Sequence, residues 1–234
     1  MYAEHPSRLA GVVVWTAVAS GAQRVLPDGC MDVIWLGDEV VVAGPDEVAH
    51  VSEAPAGTPC TGLRFAPGLL PPLLGVPAAA VTGQRVPLAE VWSSAEVERM
   101  GHEVALGAPR SAVLEARLAA RRRHAAPVDP RLPTVVDGLA AGAPVAAVAD
   151  AVGLSARQLH RRARDAFGYG PKVLARILRL TRALDLARAG VAPAAVAAAT
   201  GYADQAHLAR EVRALAGAPL REVLAPQPSA GSGA

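Results

Sequence analysis

Four side chains able to grip an anion or a base edge recur at spacings of three and four in one short stretch: Arg157, His160, Arg161 and Arg164. On a helix these spacings place them on one outer face, with Leu159, Ala163 and Ala166 turned inward. A guanidinium can hold guanine O6 and N7 with two parallel hydrogen bonds, and His or Gln can read other base edges. A second stretch repeats the arrangement in milder chemistry, with Gln205, Ala206, Ala209 and Arg210 at the matching outer positions. There Gln205 suits adenine, Arg210 suits guanine, and Ala209 can touch only a thymine methyl. Arg162, Arg164 and Arg213 suit phosphate, which positions a protein on a duplex without specifying sequence. The alternative for all of them is a solvated, arginine-rich helix face.

Other chemistries are thinly represented. Cys30 and Cys60 make no disulfide scaffold, and no CxxC or HExxH spacing marks a metal. A catalytic metal in a β-barrel needs clustered His and carboxylates. Here only His50 lies in the strand region, with His5 in the leading segment. No metal, cofactor or enzyme activity is expected. Cys30 and Cys60 both follow turns at strand starts. They could face each other as a redox or alkylation sensor, or Cys30 could serve an alkyl-transfer step; the alternative is that both are small buried hydrophobes.

The net charge of +2 over 234 residues conceals an asymmetry. Residues 1–128 carry a net −3 and residues 129–234 a net +5, with +7 concentrated in 155–188. A basic block inside a neutral chain is the footprint of a polyanion site. The arginine triplet 121–123 sits at a helix C-terminus, where cations are favoured, and is expected to be a solvated end. No apolar run is long enough to span a membrane, and the start MYAEHPSRLAGVVVW lacks the layout of an export signal, so a cytoplasmic protein is expected.

Two kinds of element must position these side chains. Gly11–Val18, Met31–Leu36, Val40–Ala43 and Thr61–Phe65 are short apolar runs punctuated by Gly and Pro turns, which predicts an antiparallel sheet or small barrel. Leu69–Gly75 reads as a helical turn, and Leu88–Leu106 and Arg110–His124 as helices. From Arg131 onward every segment reads as a helix, stopped at Gly142–Pro144, Gly153, Gly168–Pro171, Gly190–Pro193, Gly201 and Gly217–Pro219. The predicted class is α+β. A β-rich regulatory domain (1–86) precedes connecting or dimerising helices (87–128), an all-helical domain (129–225) and a low-complexity, unstructured tail (226–234).

The helical part contains a repeat. Ala149-x-x-x-Gly153 recurs as Ala197-x-x-x-Gly201, Leu159-x-Arg161 as Leu208-x-Arg210, and Gly168 as Gly217, at offsets of 48 or 49. Each copy is a helix, a glycine turn and a second helix, capped by Ser155 in one and Asp204 in the other. The small alanine admits a close helix crossing, the glycine makes the tight turn, and the leucine pins the second helix. This is helix-turn-helix construction, in which the second helix is free to enter a major groove. A connecting helix near Pro171–Ala189, opened by proline, would join the units.

Residues 130–225 resemble the DNA-binding domain of the AraC/XylS family. The matching segments are VADAVGLSARQLHR (148–161), GYGP (168–171) and AAATGYADQAHLAREVR (197–213). The resemblance implies that Arg157, His160 and Arg161 fall where the family reads bases. Ala163 and Val212 stand where the family usually places a large ring, and Pro219 comes one residue early. PDGCMDVIW (27–35), AGP (43–45) and GLRFAPG (62–68) resemble the cupin-like N-terminal sensor domain of one branch of the same family. That resemblance implies a β-rich pocket for a small-molecule effector, or a surface for a homodimer. Trp15, Cys30, Trp35 and Phe65 could line the pocket, with Asp32 and Arg64 orienting a polar ligand. The alternatives are that the rings are core and that Arg64 and Asp32 pair with each other. The implied function is a sequence-specific transcription regulator acting on duplex DNA, with RNA polymerase as a partner if it activates. A constitutive binder whose first domain only dimerises is the rival reading.

Overall fold

A computed structural model describes residues 2–225; the predicted tail, 226–234, lies outside the described residues. Among the described residues eight strands and eleven α-helices follow in order, with a short 3-10 turn at Ala78–Ala80. They are β1 (Tyr2–Pro6), β2 (Val12–Val18), β3 (Gln23–Val25), β4 (Met31–Leu36), β5 (Glu39–Ala43), β6 (His50–Ser52) and β7 (Pro59–Phe65). Then come α1 (Pro71–Leu74), β8 (Arg85–Pro87), α2 (Leu88–Val91), α3 (Ser94–Ala105) and α4 (Arg110–Arg122). The remainder is helical: α5 (Leu132–Ala140), α6 (Val145–Ala151), α7 (Ala156–Phe167), α8 (Pro171–Arg188), α9 (Pro193–Thr200), α10 (Gln205–Ala216) and α11 (Leu220–Leu224). The class is α+β, with a β-rich first half and an all-helical second half.

Six strands form one antiparallel sheet in the order β1-β2-β7-β4-β5-β8, and β3 and β6 form a separate two-stranded ribbon. Alternation along the strands divides the large sheet into two faces. Val12, Val14, Met31, Val33, Trp35, Val42, Leu63 and Phe65 point to the face covered by α1–α4, where Leu70, Leu88, Met100, Leu114 and Leu118 close a core. The opposite face carries Trp15, Asp32 and Arg64. Sequence reading found the four central apolar strands. The strands β1, β3, β6 and β8 are additional to those expected, being short or exposed with little apolar signal. The long helix expected over Leu88–Leu106 is two helices, because Trp92 leaves the helical conformation and buries its ring instead.

The helical half has two cores sharing one rod. Leu174 and Ile177 of α8 pack with α5, α6 and α7. Leu180, Ala183 and Leu184, further along α8, pack with α9 and α10. The first helix-turn-helix unit is α6–α7 and the second is α9–α10.

The two halves meet at the α7–α8 turn. Gly168 has φ +87°, and a methyl group on it would lie 2.3 Å from Thr82 Oγ1 and 2.6 Å from Pro45. The Thr82 hydroxyl stands 3.3 Å from the Gly168 carbonyl, sharing its proton with the Ala78 carbonyl at 3.1 Å. Tyr169 is buried beside Gly29 of the PDGC turn. A second contact ties the ribbon to the second unit: Ala49 N–H donates to the Leu215 carbonyl (2.6 Å), Arg24 pairs with Glu222 (3.2 Å), and Leu26 joins the core around α10. Gly168→Ala combines a left-handed backbone with overpacking, and is expected to cost about 2–3 kcal/mol. Urea unfolding of the full chain checks this; a loss below about 0.5 kcal/mol would show that the seam does not constrain this position.

Candidate nucleic-acid interface

The first recognition helix begins with a capping box. Ser155 Oγ accepts from Gln158 N–H (3.3 Å), and Gln158 Oε1 accepts from Ser155 N–H (2.9 Å). The second begins with Asp204, whose carboxylate accepts from His207 N–H (2.6 Å). Gly153 and Gly201, with φ +65° and +76°, make the turns of the two units. Ala149, Ala197, Leu159 and Leu208 are all buried, as close crossing and pinning require. Ala163 and Val212 are buried too, and aromatic bulk in the first unit is carried by Phe167 and Tyr169 instead.

With those residues inside, the outer faces are fixed. Arg157, His160, Arg161 and Arg164 are exposed on α7; Gln205, Ala206, Ala209, Arg210 and Arg213 are exposed on α10. Arg157, Arg161 and Arg164 have no acidic partner among the described residues, so three guanidiniums face solvent in one row. His160 sits at the side of that row, its ring against Gly170, where a methyl group would lie 2.7 Å away. Arg162, expected at phosphate, stands elsewhere. It turns toward the segment between α4 and α5, where its Nη1 donates to Asp129 Oδ2 at 2.7 Å. One residue beyond Arg161 on a helix is a rotation of about 100°, enough to leave the outer face.

Much of the basic block is used internally. Arg176 makes a two-pronged pair with Glu211 (3.1 Å each), joining α8 to α10. Arg179 lies 4.7 Å from the Tyr202 ring centre, and Arg188 pairs with Asp185. Arg121 is no solvated helix end either: it pairs with Glu96 at 2.9 Å and lies 3.9 Å over the Trp92 ring. Apart from the i,i+3 pair Arg188–Asp185, spacing alone could not reveal these partners, because each is distant in sequence.

The residues expected to line an effector pocket fall on two sides of the sheet. Trp35 and Phe65 are core beneath the helices. Trp15, Asp32 and Arg64 share the other face, with Cys30 just before β4. The cause is the two-residue period of β4 and β7, which turns Asp32 away from Trp35 and Arg64 away from Phe65. On that other face the Trp15 ring lies over Gly62, where a methyl group would be 2.3 Å from it. The absent side chain lets the indole cross β7 and donate from Nε1 to Asp32 Oδ1 at 2.6 Å. Arg64 Nε stands 3.6 Å from Asp32 and 3.8 Å from Asp28, so the arginine and aspartate do pair.

Cys30 and Cys60 do not face each other. Cys30 precedes Met31, which pairs with Phe65, whereas Cys60 pairs with Leu36, so they lie at opposite ends of β4. Both are free thiols. Burial pushes each thiol up, and Asp28 and Asp32 push Cys30 further. Neither is an activated thiolate.

Comparison with known proteins agrees with this geometry. Residues 148–225 match the family model of a helix-turn-helix domain, and residues 10–87 match a domain of unknown function (DUF6597). Among solved structures the chain is similar to ToxT of Vibrio cholerae. An apo form is 9% identical over 94% of this chain and 98% of that chain, with a TM-score of 0.50. A second ToxT structure is 7% identical over 92% and 97%, with a TM-score of 0.50. A complex of ToxT with (E)-4-(8-methylnaphthalen-1-yl)but-3-enoic acid is 6% identical over 92% and 98%, with a TM-score of 0.51. At these identities the likeness is one of fold. No curated protein matches the chain. Residues 148–225 thus form a helix-turn-helix domain with two units, behind a β-rich N-terminal domain. No helix among the described residues is long and apolar enough to cross a membrane.

Asp32 generates a pH prediction. Burial raises its carboxyl to about 6 from 3.8, against the opposing pull of Arg64, the Trp15 hydrogen bond and Arg85, and with Asp28 adding to the rise. Between those two values the folded chain binds more proton than the unfolded one. Stability therefore falls as pH rises through the window, by about 3 kcal/mol in all from this group. Asp32→Asn keeps an acceptor for Trp15 and is expected to flatten this slope between about pH 4 and pH 6. Urea midpoints across that range decide; a slope unchanged by the substitution would contradict the assignment.

Proposed function

We propose that this regulator reads specific sequence by placing α7 and α10 in consecutive major grooves of duplex DNA, and that a small molecule sets its affinity through the N-terminal domain. The observation that carries the first part is the row Arg157, Arg161 and Arg164, exposed and unpaired on a helix whose opposite side is fully committed to the core. In this reading Arg157, His160 and Arg161 meet base edges on the first half-site. Gln205, Ala209 and Arg210 meet them on the second, in keeping with the base chemistry each can offer. Arg164 and Arg213 meet phosphate. Arg162 is not among the contacts of this reading, because Asp129 holds it away from the outer face.

The second part is supported by the seam between the halves, which touches both units: the α7–α8 turn of the first and the Leu215 carbonyl of the second. A ligand that binds one arrangement of that seam more tightly than another must shift the population of DNA-competent molecules. ToxT, whose fold this chain shares across nearly its whole length, is a ligand-bound protein in one of its structures. The reading places the protein in the cytoplasm. A second copy of the chain, and RNA polymerase where it activates, are further partners within it.

Selection of bound fragments from random duplexes supplies the operator. On that operator Arg161→Ala is expected to lose about 1–3 kcal/mol of discrimination at one base position. Arg164→Ala is expected to weaken all sequences alike and to lower the salt slope by about 1. Gel-shift titrations at several salt concentrations separate the two. Unchanged sequence preference in Arg161→Ala would remove it from the base-reading set.

A further inference from the structure

The two recognition helices are tied down at one equivalent position by ion pairs of opposite polarity. Arg162 stands three residues after Leu159 on α7, and Glu211 three residues after Leu208 on α10, so both occupy the same place in the repeat. Arg162 Nη1 donates to Asp129 Oδ2 at 2.7 Å. Glu211 accepts from Arg176 Nε and Nη2, at 3.1 Å each. The surroundings match as well: each carboxylate is 18% exposed, and the guanidiniums of Arg162 and Arg176 are 40% and 41% exposed. The far ends differ. Arg176 belongs to the rod α8, whereas Asp129 lies between α4 and α5, in the segment that joins the halves. There Arg131 holds Asp129 with its Nε at 2.8 Å and its backbone N–H at 3.1 Å.

A helix that reads base edges must sit at the right depth and at the right roll about its own axis. The core sets depth through Leu159 and Phe167 on α7, and through Leu208 and Leu215 on α10. It restrains roll less, because the small side chains Ala163 and Val212 stand at the middle of the inner sides. A roll of about 15° at a helix radius of about 6 Å moves a side-chain tip by about 1.5 Å. A two-pronged contact with a base tolerates only about 0.5 Å. Arg162 and Glu211 each precede the buried Ala163 or Val212 by one residue, a rotation of about 100° that puts them on the flank. A tie on the flank resists roll, since rolling carries the flank directly toward or away from its partner.

We propose that Arg162 and Glu211 are positioning residues, which set the roll of α7 and α10 and with it the base preference of each unit, without touching DNA themselves. This deepens the DNA-reading function above and rests on it. The reversed signs keep the two ties separate. Arg162 against Arg176, or Glu211 against Asp129, would meet a like charge, so neither helix can use the other's partner. Because Asp129 sits in the joining segment, only the first unit's preference depends on where that segment lies.

The test repeats the selection from random duplexes on variants of the full chain, with gel-shift titrations at several salt concentrations. Asp129→Asn keeps an oxygen for the Arg131 N–H but removes the charge that holds Arg162. It is expected to lower discrimination at the first half-site about fivefold, leave the second within about twofold, and leave the salt slope unchanged. Glu211→Gln is expected to do the same at the second half-site alone. Melting temperatures are expected to stay within about 3 °C, since partly exposed pairs add little to stability. Arg131→Ala, which leaves the Arg162 pair in place, is expected to hold preference within about twofold. Exchanging the second pair, Arg176→Glu with Glu211→Arg, is expected to restore the discrimination that Glu211→Arg alone loses. If Arg162 and Arg176 are instead phosphate contacts masked by their carboxylates, Asp129→Asn and Glu211→Gln will tighten binding to every sequence and steepen the salt slope by about 1. That result overturns the proposal, as does a preference unchanged in both variants. Loss at both half-sites together, or loss with a larger fall in melting temperature, marks a general support and overturns it too. A wild-type chain that selects no sequence overturns the DNA-reading function, and this proposal with it, before any variant is made.

Discussion

The α7–α8 turn holds the molecule together in a way neither half could alone. Its Gly168 lies so close to Thr82 and Pro45 that no side chain fits between. Its Tyr169 is buried beside the PDGC turn of the first half, and Pro171 starts the rod that carries the second unit. Burying a tyrosine ring gains a large apolar contribution, but the hydroxyl here has no partner among the described residues, and burial together with the nearby Asp28 keeps it protonated. An unmade hydrogen bond of that kind costs about 1–3 kcal/mol. The seam is thus held by shape and apolar area, with a polar penalty built in.

From that turn the arrangement of both recognition helices follows. One helix, α8, contributes Leu174 and Ile177 to the first core and Leu180 and Leu184 to the second, so the units cannot rotate freely about each other. The two-pronged Arg176–Glu211 pair fixes α10 against the rod from the side. The ribbon then grips the far unit through Ala49 and Arg24. The N-terminal half therefore contacts each unit at a separate place, so that α7 and α10 are both held relative to it.

What could be read from sequence divides along the range of the interactions involved. The two helix-turn-helix units were legible because their determinants are local: a small residue, a turn glycine, a cap and a leucine within about a dozen positions. The central strands were legible from apolar runs bounded by turns. The seam was not legible, although its GYGP motif stood in view, because what makes Gly168 indispensable is Thr82, 86 residues away. The same holds for Arg162, whose helical position suggested phosphate while Asp129, 33 residues earlier, claims it. The residues expected at an effector pocket divide for a different reason: motif resemblance groups them by segment, whereas the strand period sends Trp35 and Asp32 to opposite faces.

The uneven charge of the chain takes on a narrower meaning in the folded molecule. Of the basic residues between 155 and 188, Arg162, Arg176 and Arg188 are bound to carboxylates and Arg179 lies against a tyrosine ring. Such groups add to the long-range field but are not free to meet phosphate without breaking a contact. What remains outward on α7 is Arg157, Arg161 and Arg164. On α10 it is Arg210 and Arg213, beside uncharged Gln205, Ala206 and Ala209. Counterion release scales with phosphates neutralised. In the proposed reading the first unit supplies more of the salt-dependent affinity, while the second, with one amide and one methyl at its centre, discriminates more by fit.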